Sequence, residues 1–190
     1  LSYLRPMPNL VFMAPKDENE LSHMIHAAFS ISQPVAIRYP RGKGLGVPLD
    51  QEVKEIPVGK AEIIKQGEDA AIFAIGSTVY PAIEASEMLE KEGIKCSVIN
   101  SRFIKPIDKD CVLEFAEKTK LIITVEENVI HGGFGSAILE EIQDLDKGLN
   151  IINLGIPDTF VEHGPQNVLR AKYQIDAQGI YNTVKKMLES

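Results

Sequence analysis

Short apolar runs alternate with segments of helical periodicity over most of this chain, and that alternation constrains the fold more than any other feature. From residue 58 onward, strands are predicted at 61–65, 70–75, 95–99, 121–125 and 151–154. Helices are predicted at 78–92, 108–117, 134–144, 166–172 and 177–188. The alternation predicts a three-layer α/β fold in which a mostly parallel sheet carries helices on both faces.

The first two strands of this set are separated only by a Gly-Glu-Asp turn at residues 67–69. Glycine and aspartate favour tight turns, so we predict that strands 61–65 and 70–75 pair as an antiparallel hairpin. The sheet would then contain one antiparallel strand.

A shorter strand-helix-strand unit (βαβ) precedes this set. An apolar run at residues 10–14 predicts a strand buried on both faces, and residues 35–38 supply a second strand. Between them, Asp17 and Glu20 have the spacing of a capping box at a helix start. The helix face predicted to meet the core consists of Leu21, Met24, Ile25 and Ala28. One such unit is too small to fold alone, so we expect a disordered stub with open strand edges, or one that pairs with another chain.

The stretch from Pro40 to Pro57 contains three prolines and three glycines without apolar periodicity. We interpret it as the connection between two domains. Residues 1–45 would be the end of one domain, 46–57 the linker and 58–190 a complete second domain. The chain starts at Leu1 rather than at a methionine and soon enters a predicted buried strand, so we expect a piece of a longer polypeptide.

Composition narrows the range of functions. Hydrophobic residues make up 44% of the chain, typical of a globular protein, and 20 basic against 27 acidic residues give a net charge of -7. This acidic balance argues against a nucleic-acid partner. No apolar run is long enough to cross a bilayer and the first residues lack the regions of a signal peptide, so we expect a cytoplasmic protein without a membrane partner. Cys96 and Cys111 are interpreted as reduced core thiols.

Two arginines, Arg38 and Arg41, follow a predicted buried strand in the motif Arg-Tyr-Pro-Arg-Gly at residues 38–42. Ligands of open α/β sheets bind at the carboxyl ends of strands, and a planar guanidinium group suits phosphate. Alternation along the strand directs the two side chains to different sides, so one of them is enough for a ligand. Ordinary ion pairs at the surface or between domains are the alternative, and the placement alone does not decide.

A second candidate is the pair Glu126 and Glu127 at the end of another strand, followed by a glycine-rich loop at residues 132–136 that opens a helix. Free amides at that helix start could hold an anion. The glycine spacing differs from the dinucleotide-binding motif and lacks the lysine of a phosphate-binding loop, so close packing of helix on sheet is favoured. The shorter Gly-Ser-Thr at residues 76–78 is interpreted as a helix cap.

The histidines give no complete site. His23 and His26 have helical spacing for a metal pair, but no third ligand is evident. His131 and His163 lie in predicted loops beside acidic residues and glycine, where either could transfer a proton. Their roles, like those of the two glutamates, stay open between catalysis and dimer contact. We assign no catalytic, cofactor-binding or metal-binding residue.

Five stretches are more informative together than singly. In chain order they are LSYLR at residues 1–5, MAPKDENE at 13–20, IRYPRG at 37–42, RFIKPID at 102–108 and VEEN at 125–128. Their order and spacing resemble the C-terminal part of the 1-deoxy-D-xylulose-5-phosphate synthases, thiamine-diphosphate enzymes of the transketolase superfamily. The resemblance covers the whole chain, and implies the end of a pyrimidine-binding domain followed by a transketolase C-terminal domain.

The resemblance implies a transferase that joins pyruvate to glyceraldehyde 3-phosphate with loss of carbon dioxide, for isoprenoid, thiamine and pyridoxal biosynthesis. Its cofactors would be thiamine diphosphate and Mg²⁺, and the enzyme would be a homodimer. Arg41 resembles the family residue that holds the phosphate of the aldehyde substrate. The family's catalytic groups and cofactor ligands precede the position of Leu1, so we expect this chain alone neither to bind thiamine diphosphate nor to turn over.

Three alternatives stay open beside that interpretation. The C-terminal part of a transketolase, or of a 2-oxo acid dehydrogenase beta subunit, would share the fold, although the motifs at residues 1–5 and 38–42 resemble the synthases more closely. An isolated, non-catalytic dimerisation module is the third.

Overall fold

The computed structural model describes residues 1–145 and 148–189, which excludes residues 146, 147 and 190 of the predicted domain 58–190. The strands are β1 (Val11–Met13), β2 (Val35–Ile37), β3 (Glu62–Lys65), β4 (Ala70–Ala74), β5 (Cys96–Asn100), β6 (Phe103–Lys105), β7 (Leu121–Val129) and β8 (Asn150–Ile156). The α-helices are α1 (Glu18–Ser30), α2 (Val79–Glu90), α3 (Lys109–Lys118), α4 (Phe134–Ile142), α5 (Gln166–Lys172) and α6 (Ala177–Leu188). A short 3-10 turn, Gly76–Thr78, precedes α2.

The larger sheet has the strand order β3-β5-β4-β7-β8, in which β5, β4, β7 and β8 run parallel and β3 runs antiparallel. Every residue of the apolar strand β4 is buried, because both faces of the sheet are covered. Ile72 packs with α2 and α6, while its neighbour Phe73 packs with α3 and α4 on the other face. The predicted three-layer α/β fold with one antiparallel strand is confirmed.

The predicted hairpin is wrong, because β3 pairs with β5 rather than with β4. The turn that follows β3 rests on the start of β5. Asp69 donates its amide to the Lys95 carbonyl at 2.9 Å, and the Ser97 hydroxyl bonds both the amide and the carbonyl of Gly67 at 2.8 Å. A Cβ at Gly67 would lie 2.4 Å from the carbonyl of Lys95. This close crossing places β5 between the two predicted hairpin strands.

The N-terminal unit is an ordered part of the fold, so the predicted disordered stub is wrong. Strand β1 is fully buried and is paired along both edges, parallel to β2 and antiparallel to β6. Sequence analysis did not find β6, the short strand after β5. Val11, Met13 and Met24 form a separate apolar cluster with Ile56 and Phe103. Burial of these side chains holds α1 against the smaller sheet, while Phe12 and Ala14 pack with Phe73 in the core of the larger sheet.

Helix α1 starts as predicted, but its buried face differs. Asp17 accepts the Glu20 amide at 2.7 Å, whereas the Glu20 carboxylate bonds the amide of Lys16 rather than that of Asp17. Ile25, predicted to face the core, is 46% exposed, whereas Met24 joins the apolar cluster beneath the helix and His23 is buried against residues 50–54. The prediction from the apolar stripe therefore assigned more buried residues to this helix than the structure shows.

Residues 40–57 contain no regular helix or strand, and they lie along α1. The proposed division into 1–45, 46–57 and 58–190 stays a prediction. Within the described ranges, no helix combines the length and the apolar character needed to cross a membrane.

Candidate functional site

Two motifs singled out in the sequence meet at one edge of the fold. Glu127 lies near the end of β7, Ser77 follows β4, and Arg38 follows β2 of the smaller sheet. Arg38 donates from Nη2 to Glu127 Oε2 at 3.2 Å and more weakly to the Glu127 carbonyl at 3.4 Å. The Arg-Tyr-Pro-Arg-Gly motif and the glutamate pair are therefore parts of one site.

The Glu127 carboxylate accepts four side-chain hydrogen bonds. Oε2 accepts from Ser77 Oγ at 2.7 Å and from Arg38, while Oε1 accepts from Arg170 Nε at 2.5 Å and Gln166 Nε2 at 3.1 Å. Its side chain is only 11% exposed. Charge-assisted bonds of this kind are stronger than neutral ones, so Glu127 joins β2, β4 and α5.

The charge of this carboxylate is set by two opposing effects. Burial works to raise the pKa of Glu127, but hydrogen bonds from Ser77 and Arg170 and the positive charges of Arg170 and Arg38 outweigh it, so the pKa lies below its ordinary value. Glu127 is consequently ionised at neutral pH. Two guanidinium groups facing one carboxylate leave a surplus of positive charge at this edge.

Arg41 lies three residues beyond Arg38 and is exposed. In the described ranges no carboxylate lies within ion-pair distance of it. The ion-pair alternative is thus correct for Arg38, which is bound to Glu127, whereas anion binding by Arg41 stays a prediction. The backbone of Arg38 is also fixed, because its amide donates to the Met13 carbonyl at 2.9 Å.

The far side of the arginine motif is attached to the start of α1. The Glu18 carboxylate accepts the backbone amides of Leu45, Gly46 and Val47 at 2.5 to 3.0 Å. Its own backbone amide, together with these three, holds the pKa of Glu18 below its ordinary value. The loop of residues 39–44 is therefore fixed on both sides.

His23 contacts the segment that follows this loop. Its Nδ1 accepts the Lys54 amide at 3.1 Å, so the proton lies on Nε2, which contacts Asp50 Oδ2 at 2.9 Å. Both ring nitrogens are used, while His26 on the next turn is exposed. The two histidines are not brought together as a metal pair.

The Glu126 side chain occupies the start of the helix that follows the glycine-rich loop. Its carboxylate is fully buried and accepts the amides of Phe134 and Gly135, both at 2.8 Å, at the start of α4. A Cβ at Gly133 would lie 2.2 Å from Glu126 Oε2. Burial raises the pKa of Glu126, and the two amide bonds offset this only in part. The helix start is filled by the protein's own carboxylate, which agrees with the packing interpretation.

Two further predictions need correction or stay unsupported. Neither hydroxyl of the Gly-Ser-Thr stretch caps α2 itself: Ser77 bonds Glu127, whereas Thr78 accepts the Ile75 amide at the start of the 3-10 turn and donates to the carbonyls of Ile75 and Val125. The reason is that the chain makes a 3-10 turn before α2, which directs both side chains back toward β7. His131 and His163 are exposed and lie outside the Glu127 cluster, so the geometry adds nothing to a role in proton transfer.

The cysteines lie in the core. Neither forms a disulfide, and burial raises the pKa of both Cys96 and Cys111 to about 12. Both thiols are therefore protonated at neutral pH.

The described residues do not fit a magnesium site. Across residues 1–145 and 148–189, no group of three or more His, Cys, Asp or Glu side chains could hold a metal ion. The acidic side chains at the sheet edge are bound to arginines or to backbone amides.

Sequence reasoning did not find Gln166, Arg170 or Glu18. Gln166 and Arg170 are four residues apart on α5, a spacing that places both on one helix face and was available as a signal. Glu18 carried no signal beyond its place in the first turn of α1, where acidic residues are common.

Comparisons with known proteins agree with this architecture. The sequence profile of the transketolase C-terminal domain matches residues 59–180. The 1-deoxy-D-xylulose-5-phosphate synthase 1 of Geobacter sulfurreducens is 56% identical over 181 residues, covering 95% of this chain and 28% of the relative. The corresponding synthase of Halothermothrix orenii is 51% identical over the whole chain, which covers 30% of its length. This chain thus spans less than a third of these relatives.

Solved structures give the same result. A split-gene transketolase, described as an inactive β4 tetramer, superposes with a TM-score of 0.89 at 33% identity, covering all of this chain and 61% of that one. The transketolase of Campylobacter jejuni has a TM-score of 0.69 at 22% identity over 97% of this chain and 27% of that one, a likeness of fold. The family resemblance expected from the motifs is confirmed, and the chain belongs to the transketolase C-terminal domain family.

Proposed function

We propose that this chain is the C-terminal part of a 1-deoxy-D-xylulose-5-phosphate synthase, a cytoplasmic transferase that joins pyruvate to glyceraldehyde 3-phosphate with loss of carbon dioxide. Identity of 51% over every residue to a relative of that name supports the proposal. The same reasoning gives the whole enzyme thiamine diphosphate and Mg²⁺ as cofactors and a role in isoprenoid, thiamine and pyridoxal biosynthesis.

The chain's own contribution is to bind the phosphate of the aldehyde through Arg41. The observation that carries this role is the difference between the two arginines of the motif. Arg38 is bound by Glu127, whereas Arg41 is exposed and has no carboxylate partner in the described ranges. A guanidinium group can form two parallel hydrogen bonds to phosphate, which fixes the position of the aldehyde as well as binding it.

The carbon chemistry would come from thiamine diphosphate, which supplies a carbanion and an electron sink when it is bound. This chain orients the acceptor aldehyde and does not supply ligands for the cofactor. We infer that the isolated chain forms no product. The split-gene transketolase that is 33% identical to this chain is described as inactive when assembled from β chains, which supports the inference.

Arg41 offers a direct test in the whole enzyme. Replacing it with alanine is expected to raise KM for glyceraldehyde 3-phosphate about tenfold to a hundredfold, because a charge-assisted phosphate contact is lost. KM for pyruvate should be unchanged, and unphosphorylated glyceraldehyde should react equally well with both enzymes. Equal losses with both aldehydes would reject the phosphate role. Product formation by the purified chain would reject the inference that it needs the rest of the proposed enzyme.

A second role, self-association, is supported by the tetramer of the structural neighbour. Large apolar side chains are also exposed on this chain, above all Phe160 at 99% and Phe29 at 89%. We propose that the chain forms a homodimer, and sedimentation equilibrium would test it. A monomer at micromolar concentration would reject a dimerisation module.

A further inference from the structure

We propose that Glu127 and Glu18 are positioning residues that clamp the two sides of the loop of residues 39–44 and so hold Arg41 in the place where it meets the phosphate. The inference rests on the proposed function of Arg41. The two carboxylates, one on β7 and one on α1, would act by fixing the loop and not by contact with the substrate.

The first clamp fixes the beginning of the loop. Arg38 is the last residue before it, and both its backbone and its side chain are bound: the amide to Met13 and the guanidinium to Glu127. Glu127 is in turn held by Ser77 and Arg170, at 2.7 and 2.5 Å. The start of the loop is therefore anchored to the larger sheet and to α5, beyond the small sheet to which β2 belongs.

The second clamp fixes the end of the loop. Three consecutive amides, those of Leu45, Gly46 and Val47, converge on the Glu18 carboxylate. Gly44 comes close to the same carboxylate, since a Cβ there would lie 2.8 Å from Glu18 Oε1. A short segment without helix or strand is thereby closed around a single anionic group.

The loop needs both clamps because it has few bonds of its own. Residues 41–46 are all exposed and belong to no helix or strand. An arginine on such a segment loses conformational freedom when it binds a ligand, and prior fixing of the backbone reduces that loss. Pairing Arg38 with Glu127 also removes a second guanidinium group from competition for the phosphate.

Replacing either glutamate with glutamine keeps the size of the side chain and removes its charge. The new amide group of Glu127→Gln would have to face a donor of Arg38 or of Arg170, and that of Glu18→Gln would face a backbone amide. Each clamp should open without a cavity. Glu92→Gln is the matched control, because it neutralises a carboxylate just beyond α2 that is bound to Lys185 and Tyr181 of α6.

The experiment compares Glu127→Gln, Glu18→Gln, the double variant and Glu92→Gln in the whole enzyme. Each clamp variant should raise KM for glyceraldehyde 3-phosphate about tenfold, with kcat and KM for pyruvate within about twofold. Unphosphorylated glyceraldehyde should react as it does with the unaltered enzyme, and the control should change nothing. A general loss of structure would lower kcat and affect both aldehydes, so the split between them identifies positioning.

Hydrogen exchange on this chain gives a readout that does not depend on activity. The amides of residues 45–47 should be protected in the unaltered chain and exchange faster in Glu18→Gln, with protection of β4 unchanged. This variant, at the partly exposed start of α1, also serves if Glu127→Gln does not fold.

The two proposals fail in different ways. If Arg41→Ala shows the phosphate-specific effect while Glu127→Gln and Glu18→Gln behave like the control, the clamp is wrong and the proposed function stands. If Arg41→Ala itself lacks the effect, the proposed function fails, whatever the clamp variants do.

Discussion

Glu126 and Glu127 are neighbours on β7, yet their side chains enter opposite surroundings. Glu126 is buried under α4 and accepts two backbone amides there, and its pKa is raised by burial. Glu127 lies near the carboxyl end of β7 among side chains that include two guanidinium groups, and its pKa is lowered. Strand alternation directs the two carboxylates to different sides of the sheet.

The comparison teaches how one local motif can serve two purposes. A carboxylate that saturates the amides of a helix start stabilises the packing of that helix on the sheet. A carboxylate that binds arginines from other elements joins those elements and leaves positive charge at the surface. The first role belongs to the fold and the second to the site.

The largest expected effect comes from Glu126. Replacing it with alanine leaves the amides of Phe134 and Gly135 buried without an acceptor and opens a cavity, so the free energy of unfolding should fall by about 3 kcal/mol. Urea denaturation measures the loss. The control Glu90→Ala removes an ion pair at the surface between Glu90 of α2 and Lys65 of β3, and it should cost less than about 1 kcal/mol. A similar cost for both variants would mean that Glu126 does not hold α4.

Glu127→Ala should cost less, about 2 kcal/mol in the same measurement. The side chains of Arg38 and Arg170 keep 31% and 22% of their exposure, so water can solvate both when the carboxylate is removed. The contrast with Glu126 would be lost if this variant were the less stable of the two. In that case the edge would be as much a part of the core as the start of α4.

Local patterns predicted the elements well and their partners poorly. Strands such as β4 were predicted because a short apolar run between turn residues is typical of a buried strand. Strand β6, with three residues, left no periodicity to detect. The hairpin prediction was wrong because the turn residues 67–69 carry only local information. The position of β5 depends on contacts between residues distant in the sequence, such as Gly67 and Ser97, which are 30 residues apart.

The site shows the same division. Arg38 and Glu127 were each identified from their place after a strand, but they are 89 residues apart, and nothing in one sequence pairs them. Gln166 and Arg170 were seen only as parts of a helix. The exposure of Arg41, like the pairing of Arg38, could be established only once the strands were assembled.

Dependence on pH sharpens the comparison, because the two pKa values move in opposite directions. The stability that Glu127 contributes is present above its unfolded pKa and is lost as the pH falls through its lower folded pKa. The pKa of Glu126 is raised in the folded state. The stability that this group contributes is therefore present below its unfolded pKa and is lost as the pH rises through its folded pKa. On acidification the stability gap between the unaltered chain and Glu127→Gln should therefore narrow, and that to Glu126→Gln should widen.

Unfolding in urea at a series of pH values, from neutral to acid, measures both gaps. If the stability of the two variants relative to the unaltered chain changed with pH in the same way, the pKa values of the two carboxylates would not be shifted in opposite directions. The contrast between fold and site would then rest on geometry alone.

The smallest effect is expected from Ser77, which donates one of the four hydrogen bonds to Glu127. Ser77→Ala should lower the free energy of unfolding by about 1 kcal/mol and move the pKa of Glu127 up toward its ordinary value, because a donor that favours the ionised form is lost. Carbon-13 NMR titration of the Glu127 carboxyl carbon reads that change directly. Glu126 provides the internal reference, since Ser77 does not bond to it, and its titration should be unaltered. If both carboxyl groups shifted together, the two sides of β7 would be electrostatically coupled, and the separation of fold from site at this strand would be incorrect.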